Sequence, residues 1–171
     1  MSGHSLPWVA AAIVALLAQE PARAEATLEG RVVTLNVLTY DDPAAPYLDS
    51  RGRTVTVGAG VEFGMGPEFL TPGLDVVPVQ VQIARDRIEF SYGAERGTFW
   101  QAAFNGYVLR FETQCLLFES WSVDATATTM PVAAGDIHAE AGALFINVAG
   151  RDYGPEARLA LDLNVADCPI S

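Results

Sequence analysis

Two glutamates flank a glycine-rich loop and are the side chains of this chain best suited to paired acid–base chemistry. Glycoside hydrolysis needs two carboxyl groups roughly 5 to 10 Å apart beside an aromatic cleft. Glu62 and Glu68 supply such a pair, and Phe63, Phe69 and Trp100 could form the walls. Chance proximity is the competing interpretation, because the chain has 21 acidic residues and nothing in the sequence indicates a perturbed pKa. We therefore assign no catalytic residue and keep a small secreted glycan-active hydrolase as an alternative function.

An acidic loop between two predicted strands offers oxygen ligands for a cation. Ca²⁺ takes six to eight oxygen ligands, and Asp41, Asp42 and Asp49 could supply three, with carbonyl groups and water as the rest. The spacing does not match an EF-hand, and a solvated turn with Asp42 placed before Pro43 explains the same residues. No metal site is secure on this pattern. Calcium is the one cofactor that we keep as an alternative, in a calcium-stabilised adhesion-type module.

Three aromatic residues could form a platform on which a sugar stacks, namely Trp100, Trp121 and Tyr107. Aromatic side chains in strands more often belong to the core, because each buries a large apolar area. Trp100 is the best candidate for an exposed binding residue, since it lies in the polar-flanked segment Gly97–Gln101. His138 is the only histidine after the first 24 residues, and without a nucleophile-elbow motif it is predicted to be a surface residue.

The first 24 residues predict a signal peptide. An apolar run from Leu6 to Ala18 has the length of a signal-peptide core, and Pro21 and the motif Ala22-Arg23-Ala24 follow it. The first five residues lack Lys and Arg, so an N-terminal membrane anchor or a buried helix is the competing interpretation. Removing 24 of the 171 residues leaves 147, enough for one domain with a full core, residues 25–171.

The two cysteines of the chain, Cys115 and Cys168, are predicted to form a disulfide. Exported proteins fold in an oxidising compartment, and this bridge would close a loop of roughly 50 residues, worth about 4 kcal/mol on the chain-entropy model. A zinc site would need three or four Cys, His or carboxylate ligands. Two cysteines and His138 do not provide a convincing set.

The charge of the chain limits its partners. The formal net charge is −11, every basic residue is Arg, and no cluster of basic residues occurs. Nucleic acids and anionic membranes both require concentrated positive charge. The sequence therefore predicts neither partner.

Alternation of apolar and polar residues predicts eight or nine β-strands and no helix after residue 24. Strands at this spacing predict an antiparallel β-sandwich, with a barrel as the alternative. The predicted strands are 27–40, 54–63, 76–84, 86–92, 105–112, 115–124, 137–140, 144–148 and 157–166.

The same pattern makes specific predictions for the segments 54–63 and 104–124 and for Pro78. The segment 54–63 is predicted as one strand with a bend at Gly58–Gly60, and Pro78 predicts an edge position or a bulge. The segment 104–124 is predicted as a hairpin that turns near Glu112–Gln114. Its second half, 115–124, is apolar on both faces at its start and is predicted to lie deep in the sheet or against a second one.

Four segments and one tyrosine resemble a known domain as a set: residues 54–63, 86–90, 104–108 and 144–150, followed by Tyr153. The combination resembles an exported bacterial β-sandwich domain found in proteins with an exosortase-type Pro-Glu-Pro C-terminal sorting signal, and the similarity covers roughly residues 30 to 166. The resemblance implies an exported all-β protein of unassigned activity, with no catalytic residues to transfer. The sorting signal itself is absent, so no membrane anchor is expected after cleavage.

Together these features predict an exported, non-catalytic β-sandwich protein, periplasmic or extracellular, with a binding or structural role at the bacterial cell envelope. A glycan or an envelope protein is the expected kind of partner.

Overall fold

The fold is nearly all-β in the computed structural model, which describes residues 26–65, 77–112, 115–140 and 142–169. Within these ranges the chain has thirteen strands and one short 3-10 turn, which confirms the predicted fold class. The predicted signal peptide, residues 1–24, and Glu68 lie outside the described residues. The strands are β1 (Val32–Tyr40), β2 (Leu48–Asp49), β3 (Arg53–Thr56), β4 (Val61–Phe63), β5 (Val79–Ile83), β6 (Arg87–Tyr92), β7 (Gly97–Thr98), β8 (Phe104–Phe111), β9 (Leu116–Val123), β10 (Ile137–Glu140), β11 (Ala143–Asn147), β12 (Asp152–Tyr153) and β13 (Arg158–Asp167), and the 3-10 turn spans Ala134–Asp136.

The strands form two antiparallel layers and one small ribbon. The first layer has the order β10-β11-β8-β1-β2, and β3 also pairs with β1. The second has the order β4-β5-β6-β13-β9, while β7 and β12 pair only with each other within the described chain. The predicted edge strand 137–140 is confirmed as β10. By contrast, β5 lies between β4 and β6, so the edge position that Pro78 predicted is wrong, and Pro78 directly precedes the first residue of the strand. A register shift of the kind made by a bulge occurs in the pairing of β4 with β5, between Val61 and Phe63 on β4.

The core lies between the two layers and is built from the apolar face of each alternating strand. In β6, Ile88, Phe90 and Tyr92 are buried as predicted. Phe90 of the second layer stacks on Tyr107 of the first, with ring centroids 5.2 Å apart. Burial of each such side chain contributes about 1.5 to 3 kcal/mol, so the interlayer contact is what stabilises the sandwich. Val37 lies opposite Tyr107 in the register of β1 and β8 and faces the same side.

The predicted strand 54–63 is two strands in different layers. Strand β3 pairs with β1 in the first layer, and β4 pairs with β5 in the second. The bend at Gly58–Gly60 therefore carries the chain across the sandwich, and the single-strand prediction is wrong. Alternation predicts that a segment is extended, but it does not select the neighbouring strand.

The predicted hairpin 104–124 is wrong for the same reason. Strand β8 pairs with β1 and β11, whereas β9 pairs with β13 in the other layer. Strand β9 is an edge strand with Leu117 44% exposed, so the predicted position deep in the sheet is wrong. The alternative, contact with a second sheet, holds at its start, where Phe118 contacts Phe111 of β8 with ring centroids 5.7 Å apart. The predicted disulfide between Cys115 and Cys168 is confirmed, with the two Cα atoms 5.2 Å apart, and it joins the start of β9 to the end of β13.

Within the part of the chain that the structure describes, no helix is long and apolar enough to cross a membrane.

Candidate functional site

A cleft of about 390 Å³ opens between the two layers at the end of the sandwich where β1 ends and β8 begins. Val37 and Tyr107 line it from the first layer. Val77 and Pro78, which lead into β5, line it from the second layer. Polar and apolar groups contribute about equally to the lining of this cleft, where Thr39, Glu95 and Asn105 lie among the aromatic side chains.

Two exposed aromatic side chains stand at the rim of the cleft. Tyr47 is 58% exposed and Trp100 is 61% exposed. Their ring centroids are 5.1 Å apart with an interplanar angle of 41°. We call this pair the aromatic platform. The exposure predicted for Trp100 from its polar-flanked segment is confirmed. Tyr47 contacts Trp100 from a different loop.

Asp41 connects the two segments that carry the aromatic platform. Its Oδ2 accepts a hydrogen bond of 2.9 Å from the Tyr47 hydroxyl, and its Oδ1 accepts one of 2.9 Å from the backbone N–H of Ala103. Ala103 follows Trp100 by three residues. The hydrogen bond to Asp41, together with the negative charge of Asp41, raises the pKa of Tyr47 above its ordinary value. Asp41 thus fixes Tyr47 relative to the loop that holds Trp100.

A buried asparagine holds the backbone of Trp100. The Asn105 side-chain amide donates 2.8 Å to the carbonyl of Trp100, and its Oδ1 accepts 3.0 Å from the Thr39 hydroxyl. The carbonyl of Thr39 in turn accepts the backbone N–H of Tyr47 at 2.8 Å. Paired strands β1 and β8 therefore anchor both members of the aromatic platform. A site built on such elements is held more firmly than one built on loops alone.

The floor of the cleft is an aromatic cluster. Phe99 contacts Tyr153 with ring centroids 5.0 Å apart and Tyr107 at 6.3 Å, the latter nearly edge-on. Tyr153 lies across Gly97 in the small ribbon, and a Cβ at Gly97 would collide with the Tyr153 hydroxyl. Glycine at position 97 therefore lets the Tyr153 ring reach the cleft.

Two tyrosine hydroxyls beneath this floor lack hydrogen-bond partners within the described residues. Tyr92 is 4% and Tyr107 2% exposed, and neither hydroxyl meets hydrogen-bond geometry, although the two interact electrostatically. Burial raises the pKa of both groups, which are therefore neutral.

Glu62, proposed from the sequence as one of two paired carboxylates, is bound to backbone instead. It is 7% exposed, and its carboxylate accepts hydrogen bonds from the N–H groups of Ile83 at 2.6 Å and Gly58 at 3.1 Å. This contact stabilises the crossover between the layers. Glu68, the other member of the proposed pair, lies outside the described residues.

The three aspartates proposed as calcium ligands have different surroundings in the structure. Asp41 binds Tyr47 and Ala103, Asp42 accepts the N–H of Ala44 at 2.9 Å within its own turn, and Asp49 is exposed on β2. Among the described residues, no group of three or more His, Cys, Asp or Glu side chains is placed to hold a metal ion. The acidic loop carries Tyr47, one of the two rings of the aromatic platform.

The remaining aromatic candidates lie away from the cleft. Trp121 is half-buried on β9 and donates from Nε1 to the carbonyl of Ala134 at 3.3 Å. His138 is exposed, as predicted, and stacks on Phe145 with centroids 4.5 Å apart. Of the predicted sugar-stacking set, the structure brings Trp100 and Tyr107 to one cleft and leaves Trp121 outside it.

Sequence reasoning missed Tyr47, Asn105 and Tyr153 as site residues. The signal for Tyr47 is its place in a polar turn, where no strand alternation would bury the ring. In the sequence Asn105 looks like an ordinary strand residue. Its hydrogen bonds to Thr39 on β1 and to Trp100 depend on how β8 pairs, which the sequence does not show.

The fold and the cleft define a disulfide-bonded antiparallel β-sandwich with a built aromatic cleft at one end. Comparison with protein-family models, with curated proteins and with solved structures gave no match.

Proposed function

We propose that this protein is an exported, non-catalytic β-sandwich that binds a ligand in the cleft, with a role at the bacterial cell envelope. The observation that carries the proposal is the aromatic platform. Tyr47 and Trp100 place two adjacent aromatic side chains in water beside the cleft, and covering them with a ligand would be favourable. Asp41 binds the Tyr47 hydroxyl, and Asn105 binds the backbone carbonyl of Trp100. A pre-organised surface of this kind binds without a large ordering cost.

Two further observations support this proposal. The disulfide is of the kind that persists in oxidising compartments, which supports export. The carboxylate of Glu62 is buried and bound to two N–H groups, which weighs against the hydrolase alternative. The resemblance to exported envelope domains stays a prediction.

Ligand-observed NMR with a chemically mixed fragment library tests the binding role. We expect several fragments to bind the wild type and to lose binding in Trp100→Ala. Leu117→Ala is the matched control, because Leu117 is an exposed apolar side chain on the edge strand β9. Absence of fragment binding, or binding that survives Trp100→Ala unchanged, would contradict a ligand site in the cleft. Turnover in a hydrolase screen that Glu62→Gln abolishes without unfolding the protein would contradict the non-catalytic role.

A further inference from the structure

We infer that the cleft takes an uncharged carbohydrate, with the apolar face of one sugar ring lying on the aromatic platform. This inference rests on the proposed function, since it names the chemical class of the ligand for the same site. A pyranose has C–H groups on its faces and hydroxyl groups around its edge. It therefore needs a flat apolar surface with hydrogen-bonding groups beside it.

The geometry of the aromatic platform favours a flat ligand over a cation. Aromatic cages for quaternary ammonium groups surround the cation with separate ring faces. Here the rings of Tyr47 and Trp100 contact each other, with centroids 5.1 Å apart and planes inclined by 41°, so they are not the separate facing walls of such a cage. Both side chains are largely open to water, with Tyr47 58% and Trp100 61% exposed.

The charge of the site excludes anionic ligands. Glu95 is the charged side chain among the described residues that line the cleft, and Asp41 is hydrogen-bonded to the hydroxyl of Tyr47. The whole chain carries a net charge of −11. A uronate, a phosphate or a sulfated sugar would be repelled, because like charges brought close together disfavour binding. A neutral sugar meets no such barrier, and its hydroxyls can donate to the Glu95 carboxylate.

The strand arrangement argues against a peptide bound as an added strand. Peptides that bind in this way pair with an open strand edge. Strands β1 and β8, which line the cleft, already pair on both sides. Open edges at the cleft belong to β2 and to the ribbon of β7 and β12, and each of these strands is two residues long, which leaves room for only a few backbone hydrogen bonds to a peptide.

The test is a titration of the purified protein with four sets of probes, in which calorimetry measures the heat of binding. These are neutral oligosaccharides of glucose, mannose, galactose and N-acetylglucosamine, an oligogalacturonate, choline, and a short apolar peptide. We expect saturable binding of at least one neutral oligosaccharide and none of the oligogalacturonate. Trp100→Ala and Tyr47→Ala each remove one ring of the aromatic platform. Each should weaken that binding about tenfold or more. Tyr47→Phe keeps the ring but loses the bond to Asp41 and should have a smaller effect, and Leu117→Ala should have none.

The outcomes separate this inference from the proposed function. If choline, the oligogalacturonate or the peptide binds in a Trp100-dependent manner while the neutral sugars do not, the ligand class is wrong and the cleft is still a binding site. If none of these probes binds and no member of the fragment library binds, both proposals are wrong. Circular dichroism of each variant establishes that the loss of binding is not a loss of fold.

Discussion

The buried carboxylate of Glu62, on β4, accepts a hydrogen bond of 2.6 Å from the backbone N–H of Ile83 at the end of β5. The same group accepts the N–H of Gly58 at 3.1 Å, in the segment that crosses between the layers. A residue that the sequence offers for catalysis therefore satisfies two backbone donors. Charge-assisted hydrogen bonds of this type are stronger than neutral ones.

Replacing Glu62 should lower stability. We expect Glu62→Ala to reduce the free energy of unfolding by about 2 to 4 kcal/mol, because it leaves the buried N–H of Ile83 without an acceptor. Glu62→Gln keeps an amide oxygen as acceptor and should cost less. Urea denaturation at neutral pH measures both changes. A stable Glu62→Ala variant would show that these hydrogen bonds contribute little.

Acid should weaken the contacts of Asp124. Hydrogen bonds from Thr126, followed by those from Arg87, hold the pKa of Asp124 well below its ordinary range. The distances are 2.7 Å from the Thr126 hydroxyl and 2.8 Å from the Arg87 guanidinium. A lowered folded-state pKa means that the contribution to stability is present above the ordinary aspartate pKa of about 4 and is lost as the pH falls through the folded-state value.

We therefore expect Asp124→Asn to lower the unfolding free energy at pH 7 and to approach the wild type as the solution is acidified. Urea denaturation of both proteins across this pH range measures the difference. Asp49→Asn, a change at an exposed position of β2, is the matched control and should run parallel to the wild type. If the difference in the free energy of unfolding between the wild type and Asp124→Asn does not change with pH, the role proposed for this carboxylate is wrong.

Removing the disulfide should destabilise the edge of the second layer. Cys115 and Cys168 are 53 residues apart in the chain, and closure of such a loop is worth about 2 to 4 kcal/mol. We expect the double variant Cys115→Ser, Cys168→Ser to lose about that much in the free energy of unfolding. Amide hydrogen exchange should rise first in β9, which pairs only with β13 within the described chain. A loss below about 1 kcal/mol would mean that the strand pairing alone holds this edge.

The hydroxyl of Tyr107 should be dispensable for stability, whereas its ring should not. Tyr107 is buried against Phe90 and Phe99, and its hydroxyl has no partner at hydrogen-bond geometry. We expect Tyr107→Phe to cost less than about 1 kcal/mol or to stabilise the protein, because it removes an unsatisfied buried group. Tyr107→Ala should cost about 3 to 5 kcal/mol through the cavity it leaves. Thermal and urea unfolding of the two variants separate these effects, and a large cost for Tyr107→Phe would reveal a hidden partner of the hydroxyl.

The sequence alone was sufficient for the all-β fold class, most of the longer strands, the disulfide and the exposure of Trp100, but not for the two-residue strands β2, β7 and β12. The alternation of Ile88, Phe90 and Tyr92 reflects a period of two that any half-buried strand must show. With two cysteines in the chain, only one internal pairing exists. Trp100 could be recognised because polar residues flank it. Each of these properties is local, or follows from a count.

The tertiary structure alone decided which strands pair and what the side chains do. Strand β3 and strand β4 share one apolar pattern in sequence but belong to different layers, because the period of a strand is the same whichever neighbour it has. The contact of Tyr47 with Trp100, and the commitment of Glu62 to the backbone of Ile83, depend on residues far apart in the chain. Such contacts arise from long-range pairing, which the local order of residues does not encode.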